Sequence, residues 1–485
     1  YYFAFSIRDT GYTHSVNFGQ KPFKFPPPEG FQSLNVANVR PETVITLPDQ
    51  FVGATLYSGN AGTQSINAGL KPDFVWIKQR NSNRHNTLYD SVRGVTKFLI
   101  SNTTATENTN ANSITSFDSN GFSLGSMVEV NASGGMYVGW SWKAGGNKNT
   151  FNKDDVGYAS ASDVGMNVGG QTSNAYNFGS YLSQITGTVR DASFAWANMF
   201  NGNTTNGTAP GVGGNFVWMP TTPISFTTLA IYAYKDSSPG GIEINGTSVI
   251  SQIPNHNSIG TNQRTVITGI SSPLTSLKSI SLANLSNVVI AGIEIDGVLL
   301  VDSGQTPPSV PTIAATGASV GTNQGFSIVK ATLGTASGNV SIPHGLGKTP
   351  DFIIAKSLTN TYNWDIYHKD ATPGGSNRLQ FTTAAVDSQD PWGNVPPNPG
   401  VFTFNAGFYN NASSNVIYYS WHDVPGLQKF GPCKGSGASA APDFVELGFK
   451  PSIVWVKRTD NTSNWTVWDS SRSTFNPSQK LLYLN

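Results

Sequence analysis

One sequence unit occurs three times in this chain, and the third occurrence is cut short. The copies open with GLKPDFVWIKQRNSNRHNTLYDS at Gly69, GLGKTPDFIIAKSLTNTYNWDIYHK at Gly345 and GFKPSIVWVKRTDNTSNWTVWDSS at Gly448. Each has a proline (Pro72, Pro350, Pro451), an apolar run ending in lysine (Lys78, Lys356, Lys457), and an aromatic residue eleven positions later (Tyr89, Tyr367, Trp468). A spacing kept through so much substitution indicates one structural unit used repeatedly. Such reuse favours a modular surface or fibre protein over a single-site enzyme.

The second half of the repeat sets the predicted domain boundaries. Asn120-Gly121-Phe122 and Trp140-Ser141-Trp142 correspond to Ala406-Gly407-Phe408 and Tyr419-Ser420-Trp421. We therefore predict repeats over 48–146, 318–424 and, truncated, 427–485, with the tail of another domain over 1–45 and a separate β-domain over 166–310. Because both chain ends fall in runs typical of a strand interior, we expect a fragment of a longer polypeptide.

Composition excludes several classes of protein. Only 12% of the 485 residues are charged and the net charge is +1, so the basic footprint of a nucleic-acid-binding protein is missing. Cys433 is the single cysteine, which rules out an intrachain disulfide and a cysteine metal cluster. No apolar run reaches the length of a membrane span.

Short runs of β-branched and aromatic residues alternate with Gly, Asn, Asp and Pro turns along the whole chain. Tyr137–Trp142 and Val416–Tyr419 are typical runs. No segment keeps an apolar helical period for three turns, and such runs favour half-buried strands. The predicted fold class is all-β, built from tandem antiparallel β-sandwiches of the jelly-roll or concanavalin-A-like kind.

Three segments resemble known families. Val16–Phe23, followed by Pro27-Pro28-Glu29-Gly30-Phe31, resembles the C-terminal end of SPRY-type domains in virion proteins of marine bacteriophages. The repeated unit, marked by GLKPDFVWIK and YVGWSWKAGG, resembles an uncharacterised domain found beside those SPRY domains. The stretch before Thr204 (Phe200-Asn201-Gly202-Asn203) is similar to galactose-binding-like jelly rolls of phage fibres. The resemblance implies a virion or extracellular location, and it supplies no catalytic residues.

The tryptophans present two alternatives, core filling or a platform for sugar rings. We expect Trp142 and Trp421 to be buried in the core. Trp364 and Trp465 follow Asn/Thr-rich runs, where exposure is expected and binding residues concentrate, so they are the predicted ligand-binding residues. The repeated lysines, such as Lys78, are expected to mark a strand end that reaches solvent.

No catalytic or cofactor motif accompanies these repeats. Glu243, Glu294, Asp296 and the pair Asp154-Asp155 are carboxylates of the type a glycosidase uses, but they sit at turns or strand ends and no acidic pair recurs between copies. No HExxH, GxSxG or P-loop sequence occurs. We expect no enzyme activity and no cofactor. Calcium at an acidic loop stays open, because hard oxygen ligands suffice.

These observations favour a virion-associated fibre or adhesin that displays β-sandwich modules toward a bacterial surface glycan or protein. Other virion proteins and further copies of the chain are the other expected partners, whereas nucleic acid and membrane insertion are not expected. Two alternatives remain: a concanavalin-A-like polysaccharide-degrading enzyme, and a purely structural spacer or capsid-decoration protein without a ligand.

Overall fold

The computed structural model describes residue 45 and residues 47–485, apart from 170–175, 205–206, 212, 237–239, 256–261, 282–287, 297, 306–309, 335–336, 410–412, 436–443 and 476–477. The predicted SPRY-like segment 1–45 therefore lies almost wholly outside the described residues. The all-β prediction is confirmed, because the described residues form seven sheets whose strands pair mostly antiparallel. The α-helix among them, α1 (Val128–Asn131), is four residues long.

The first repeat, which we call copy 1, is a sandwich of a large and a small sheet. The large sheet has the order β1-β9-β3-β4-β5-β6 and the small one β2-β8-β7. Phe74 and Trp76 of β3 face one core while Val75 and Ile77 face another, as alternation along a strand requires. The strands are β1 (Val52–Ser58), β2 (Gln64–Asn67), β3 (Phe74–Gln79), β4 (Asn86–Asp90), β5 (Lys97–Ile100), β6 (Asn108–Thr109), β7 (Ile114–Asp118), β8 (Gly121–Leu124) and β9 (Met136–Trp142).

A short hairpin and then a separate β-domain follow copy 1. The hairpin strands are β10 (Phe151–Lys153) and β11 (Val156–Tyr158), joined at Asp154 and Asp155, both of positive φ. The domain, which we call the insert, packs sheet β12-β21-β20-β15-β18 against sheet β13-β14-β19-β16-β17 around its own core. Its strands are β12 (Tyr176–Gly179), β13 (Ile185–Gly187), β14 (Asn215–Trp218), β15 (Leu229–Lys235), β16 (Gly241–Ile244), β17 (Thr247–Ser248), β18 (Gln263–Ile267), β19 (Leu277–Ile280), β20 (Val288–Ile295) and β21 (Val298–Asp302).

In the second repeat, copy 2, the strand order β23-β29-β25-β26-β27 matches β1-β9-β3-β4-β5 of copy 1, and the described strands of the third, copy 3, correspond to β3, β4 and β5. The large sheet of copy 2 has the order β11-β10-β22-β23-β29-β25-β26-β27 and so incorporates the hairpin, while β24 and β28 form its small sheet. In copy 3 the described strands form one sheet, β30-β31-β32. The strands are β22 (Ala315–Gly321), β23 (Phe326–Thr332), β24 (Asn339–Pro343), β25 (Phe352–Ser357), β26 (Asp365–His368), β27 (Leu379–Gln380), β28 (Val401–Asn405), β29 (Asn415–Trp421), β30 (Ile453–Val456), β31 (Thr466–Asp469) and β32 (Leu482–Tyr483).

Strand register is the same in copies 1 and 2 where their strands correspond, but it corrects one detail of the predicted second half of the repeat. The pairing Val52↔Trp142 in copy 1 matches Phe326↔Trp421 in copy 2. Ile66, however, pairs with Phe122, whereas Ile342 pairs with Phe402. The counterpart of Gly121–Leu124 is thus Val401–Asn405. The similar letters Ala406-Gly407-Phe408 instead form a 3-10 helix after that strand.

Short 3-10 turns connect many of these strands. Asn405 caps one of them, because its side-chain oxygen accepts a hydrogen bond from the backbone N–H of Gly407 at 3.0 Å. The 3-10 segments are Pro48–Gln50, Ser162–Val164, Leu182–Gln184, Ala192–Phe194, Trp196–Met199, Ile250–Gln252, Pro373–Gly375 and Ala406–Phe408.

The three copies are not independent domains, because they share one hydrophobic core. We call this the junction core. Aromatic contacts cross all three boundaries between copies. The distance between ring centroids is 4.8 Å for Phe74 and Tyr419, 5.4 Å for Trp76 and Trp455, and 5.4 Å for Phe381 and Trp465. The predicted core residues Trp142 and Trp421 are both buried in it, as expected. Each large sheet thus turns one face toward the other two copies.

Candidate functional site

A closed cycle of side-chain to backbone hydrogen bonds surrounds the junction core. One position per copy donates across a copy boundary: Trp364 Nε1 to the carbonyl of Ile100 at 3.0 Å, Trp465 Nε1 to Gln380 at 2.7 Å, and Asn86 Nδ2 to Tyr483 at 3.3 Å. The three acceptors are equivalent by register, since they pair with Thr87, Asp365 and Thr466. Copy 2 therefore donates to copy 1, copy 3 to copy 2, and copy 1 to copy 3, as in a pseudo-threefold ring.

These contacts overturn the expectation of exposure at Trp364 and Trp465. Trp364 is 2% exposed and Trp465 is 4% exposed, and both indoles belong to the junction core. A sugar ring cannot stack on a buried indole, so neither residue forms the predicted platform. The Asn/Thr-rich loops before them lie at the surface, but the side chains turn inward because the neighbouring copy supplies both apolar surface and a carbonyl acceptor.

A second set of contacts joins carboxylates to aromatic donors across the same boundaries. The Tyr419 hydroxyl donates to Asp90 Oδ2 at 2.7 Å, and Trp140 Nε1 donates to Asp469 Oδ2 at 2.9 Å. Asp90 also accepts from the guanidinium of Arg93, and Asp469 accepts in the same way from Arg472. These buried pairs lie in equivalent places: each arginine follows its strand by three residues and also donates to a carbonyl of that strand, Leu88 for Arg93 and Val467 for Arg472. Each carboxylate thus stabilises a local turn and a contact between copies.

The repeated lysines each bond to a carbonyl of the loop that follows their strand. The prediction that these lysines mark a strand end reaching solvent is wrong for Lys356. Its Nζ donates to the carbonyls of Tyr362 at 2.6 Å and Thr104 at 3.0 Å, and the residue is fully buried. Burial lowers the pKa of Lys356 to about 8. Lys78 and Lys457, which are partly buried, donate to the equivalent loop carbonyls of Arg84 and Ser463.

The outer face of the insert carries the polar cluster that best suits ligand contact. Tyr232, Arg264 and Glu294 lie on three neighbouring strands of one sheet, with Tyr232 directly opposite Arg264. Arg264 Nε donates to both carboxylate oxygens of Glu294 at 3.1 and 3.0 Å, and the Tyr232 hydroxyl donates to Glu294 Oε2 at 3.2 Å. The guanidinium side chain is 42% exposed. We call this arrangement the insert triad; sequence reasoning noted only Glu294.

Asp296, Asp154 and Asp155, also considered as catalytic or calcium ligands, serve turns or tie neighbouring segments, whereas Glu243 lies within strand β16. Asp296 accepts hydrogen bonds from the backbone N–H groups of Thr227 and Thr228 at 2.8 and 2.6 Å. Asp154 accepts from Thr322 and Asp155 from Lys143, which ties the hairpin to its neighbours. Within the described ranges, no group of three or more His, Cys, Asp and Glu residues is arranged to hold a metal ion.

Comparison with known proteins adds a family. Among the described residues, no helix has the length and apolar character needed to cross a membrane. No curated protein matches the chain. A family model described as a domain of unknown function, DUF7483, matches residues 47–186 and 305–485, which include all three copies and leave out most of the insert. Since the match covers more than half of its length, the chain belongs to the DUF7483 family.

Proposed function

We propose that this chain is a fibre or adhesin module carried on a virus particle, where it presents the insert for attachment to a bacterial surface glycan or protein. The observation that carries the proposal is the junction core, because three copies locked around one core make a rigid base. A rigid base suits presentation, whereas a single-site enzyme has no use for three copies of a unit that share no acidic pair.

The connection of the insert to this base supports the same role. The chain leaves through β10 and β11 and returns through β22, and β10 pairs in parallel with β22 from Phe151↔Ala318 to Lys153↔Val320. The Gly169 N–H donates to the Pro311 carbonyl at 2.8 Å, which joins the outgoing and returning segments again. The chain segments on either side of the insert are therefore joined by the paired strands β10 and β22, which belong to the large sheet of copy 2.

The insert triad is the contact site that we propose. The partly exposed guanidinium offers donors to sugar hydroxyls beside the half-buried phenol ring of Tyr232, while the buried Glu294 carboxylate holds both groups in place. Ligand sites combine such polar and aromatic groups. The Arg264–Glu294 pair fixes the orientation of the guanidinium, which lowers the entropy lost on binding. Oligomerisation through other virion proteins would raise apparent affinity by multivalency.

A glycan array probed with the whole chain tests this proposal. We expect bacterial surface glycans to bind the parent protein, and Arg264→Ala to weaken binding at least about tenfold, the loss of one good polar contact. Arg458→Ala is the matched control, because Arg458 is also a surface arginine paired with an acid, Asp460, but lies in copy 3. Equal binding by both variants, or no glycan bound by the parent, would contradict the proposal.

The enzyme alternative is tested separately by measuring reducing-sugar release from bacterial polysaccharides. We expect no turnover, since Glu294 is held by Arg264 and Asp296 by two backbone N–H groups. Turnover that Glu294→Gln or Asp296→Asn abolishes would establish hydrolysis in place of simple attachment.

A further inference from the structure

A small cavity lies on the boundary between copies 1 and 2 and shares no residue with the insert triad. Its volume is about 170 Å³, smaller than sites that enclose drug-sized ligands, so it suits a small group. Copy 1 contributes Arg93, Lys97 and Glu107 to its walls, and copy 2 contributes Lys330 on β23 and Asn415 on β29. A group bound there would therefore contact both copies.

The guanidinium of Arg93 brings an unpaired donor to this cavity. Its side chain is fully buried, Nε donates to the Asp90 carboxylate, and Nη2 donates to the Leu88 carbonyl at 2.9 Å. The third nitrogen, Nη1, makes no hydrogen bond with the described residues. A buried donor left without a partner is costly, so Nη1 is the nitrogen that a bound group would satisfy.

Glu107 places an unpaired acceptor beside that donor. Its backbone N–H donates to the Leu358 carbonyl of copy 2 at 3.1 Å, which holds the residue at the boundary. Its Oε1 is buried, has no hydrogen-bond partner among the described residues and lies 3.6 Å from Arg93 Nη1, while Oε2 lies 3.7 Å from Lys97 Nζ. These separations allow electrostatic attraction but exceed a hydrogen bond. One group satisfies both buried atoms if it accepts from Nη1 and donates to Oε1.

Charge favours an anion over a water molecule as that group. Arg93, Lys97 and Lys330 are cations, and Glu107 is the carboxylate among the residues that line the cavity. Even when Asp90 is set against Arg93, one positive charge remains in excess. Within the part of the chain that the structure describes, the half-buried Lys330 side chain takes part in no ion pair. Guanidinium and ammonium groups of this kind bind phosphate oxygens through charge-assisted hydrogen bonds.

We propose that this cavity, which we call the boundary pocket, binds a phosphate group that keeps one hydroxyl. Its ionised oxygens accept hydrogen bonds from Arg93 Nη1 and from the two lysines, while its hydroxyl donates to Glu107 Oε1. Sulfate is similar in size and shape but carries no proton near neutral pH, so it would set a charged oxygen against the Glu107 carboxylate. The boundary pocket should therefore select phosphate over sulfate. A bound phosphate would add one more contact between copies 1 and 2.

Calorimetric titration of the whole chain with inorganic phosphate at pH 6 tests the proposal. We expect saturable binding, with sulfate bound at least about tenfold more weakly because it cannot donate to the carboxylate.

Lys330→Leu locates the site. It introduces the residue that copy 1 has at this place, since Lys330↔Ile417 matches Leu56↔Val138 in register. It should weaken phosphate binding at least about tenfold, because it removes one charged donor. Lys278→Leu is the matched control at another half-buried strand lysine, in the insert, and should leave the affinity unchanged.

Glu107→Gln tests the role of the phosphate hydroxyl. The amide keeps the shape of the side chain but can donate a hydrogen bond, so sulfate affinity should rise to within about threefold of phosphate affinity. A variant that selects phosphate as strongly as the parent protein would overturn the assignment of Glu107 Oε1 as the acceptor.

Glucose 6-phosphate separates two sources of the phosphate group. The second pKa of a phosphate monoester is about 6, so about half of it keeps the hydroxyl at the pH of the titration. Binding at least as tight as that of inorganic phosphate supports the pocket and identifies a phosphorylated glycan as the source, whereas weaker binding supports it with the free ion as the source. No saturable phosphate binding by the parent protein, equal affinity for sulfate, or unchanged affinity in Lys330→Leu would overturn the proposal.

Discussion

The residues that hold the junction together combine a large apolar surface with one polar hydrogen. Trp140, Trp364, Trp465 and Tyr419 each bury a ring in the core and aim a single N–H or O–H across a copy boundary. Aromatic side chains suit such places because the ring supplies area burial and the donor fixes the orientation. This use explains how a chain with few charges joins its copies with directional contacts.

Removing one donor from the junction should cost stability without changing shape. Tyr419→Phe leaves the ring but withdraws the hydrogen bond to the buried Asp90 carboxylate, and bonds to charged groups contribute about 1.5–3 kcal/mol. The free energy of unfolding in urea should fall by that amount. Tyr483→Phe is the control, since Tyr483 is 44% exposed and its change should cost under about 0.5 kcal/mol. Similar losses for both would show that the contact adds nothing.

His344 should make copy 2 sensitive to acid. It is fully buried, with Nε2 near the Asn398 carbonyl at 3.0 Å and Nδ1 accepting from Leu346 N–H, and burial lowers its pKa from 6.5 to about 4. The unfolded chain therefore binds more protons between those values. The contribution of a neutral His344 is complete above pH 6.5 and is lost as pH falls toward 4, by about 3 kcal/mol in all.

Comparison with His344→Gln isolates this contribution. Asp365 titrates in the opposite sense, because burial raises its pKa to about 6, but both proteins contain it and it cancels in the difference. We expect the stability deficit of the variant, measured by urea unfolding, to shrink by about 3 kcal/mol between pH 7 and pH 4. A deficit that stays constant over this range would mean that His344 does not titrate with the lowered pKa.

At the scale of elements, the repeated lysine bonds to different partners in different copies. Lys78 donates within its own copy, to Arg84, whereas Lys356 donates to Tyr362 and also to Thr104 of copy 1. Lys356→Met should therefore destabilise the protein by about 1–3 kcal/mol more than Lys78→Met, because it leaves a second carbonyl without its donor. Thermal unfolding of both variants measures this difference, and an equal loss would show that the bond between copies is not formed.

Local pattern predicts the strands of each copy but not the surfaces between copies. Alternation and repeat spacing predict the all-β fold and the burial of Trp142 and Trp421, because alternation puts each tryptophan on the same apolar face as its strand neighbour Trp140 or Tyr419. The burial of Trp364 was missed, since its acceptor, Ile100, lies 264 residues away. Likewise, Arg264 and Tyr232 gave no sign of the insert triad, because β-sheet register, not sequence proximity, places them beside Glu294.

At the scale of the whole molecule, the core of the insert is separate from the junction core that the three copies share. The insert packs around residues such as Trp218, which belong to none of the copies, whereas the junction core draws on all three. The family match likewise includes the copies and leaves out most of the insert. A substitution inside the junction core should therefore destabilise all three copies, while a substitution in the core of the insert should destabilise only the insert.

The most direct test of the shared core is hydrogen exchange of the full chain with Trp465→Ala. Trp465 belongs to copy 3, so a shared core predicts at least about tenfold faster exchange at Leu379–Gln380 of copy 2 and at Lys97–Ile100 of copy 1, as well as in copy 3. Trp218→Ala, the matched control, should accelerate exchange only within 176–302. Acceleration confined to 448–485 in the Trp465→Ala variant would contradict the shared core and leave three independent modules.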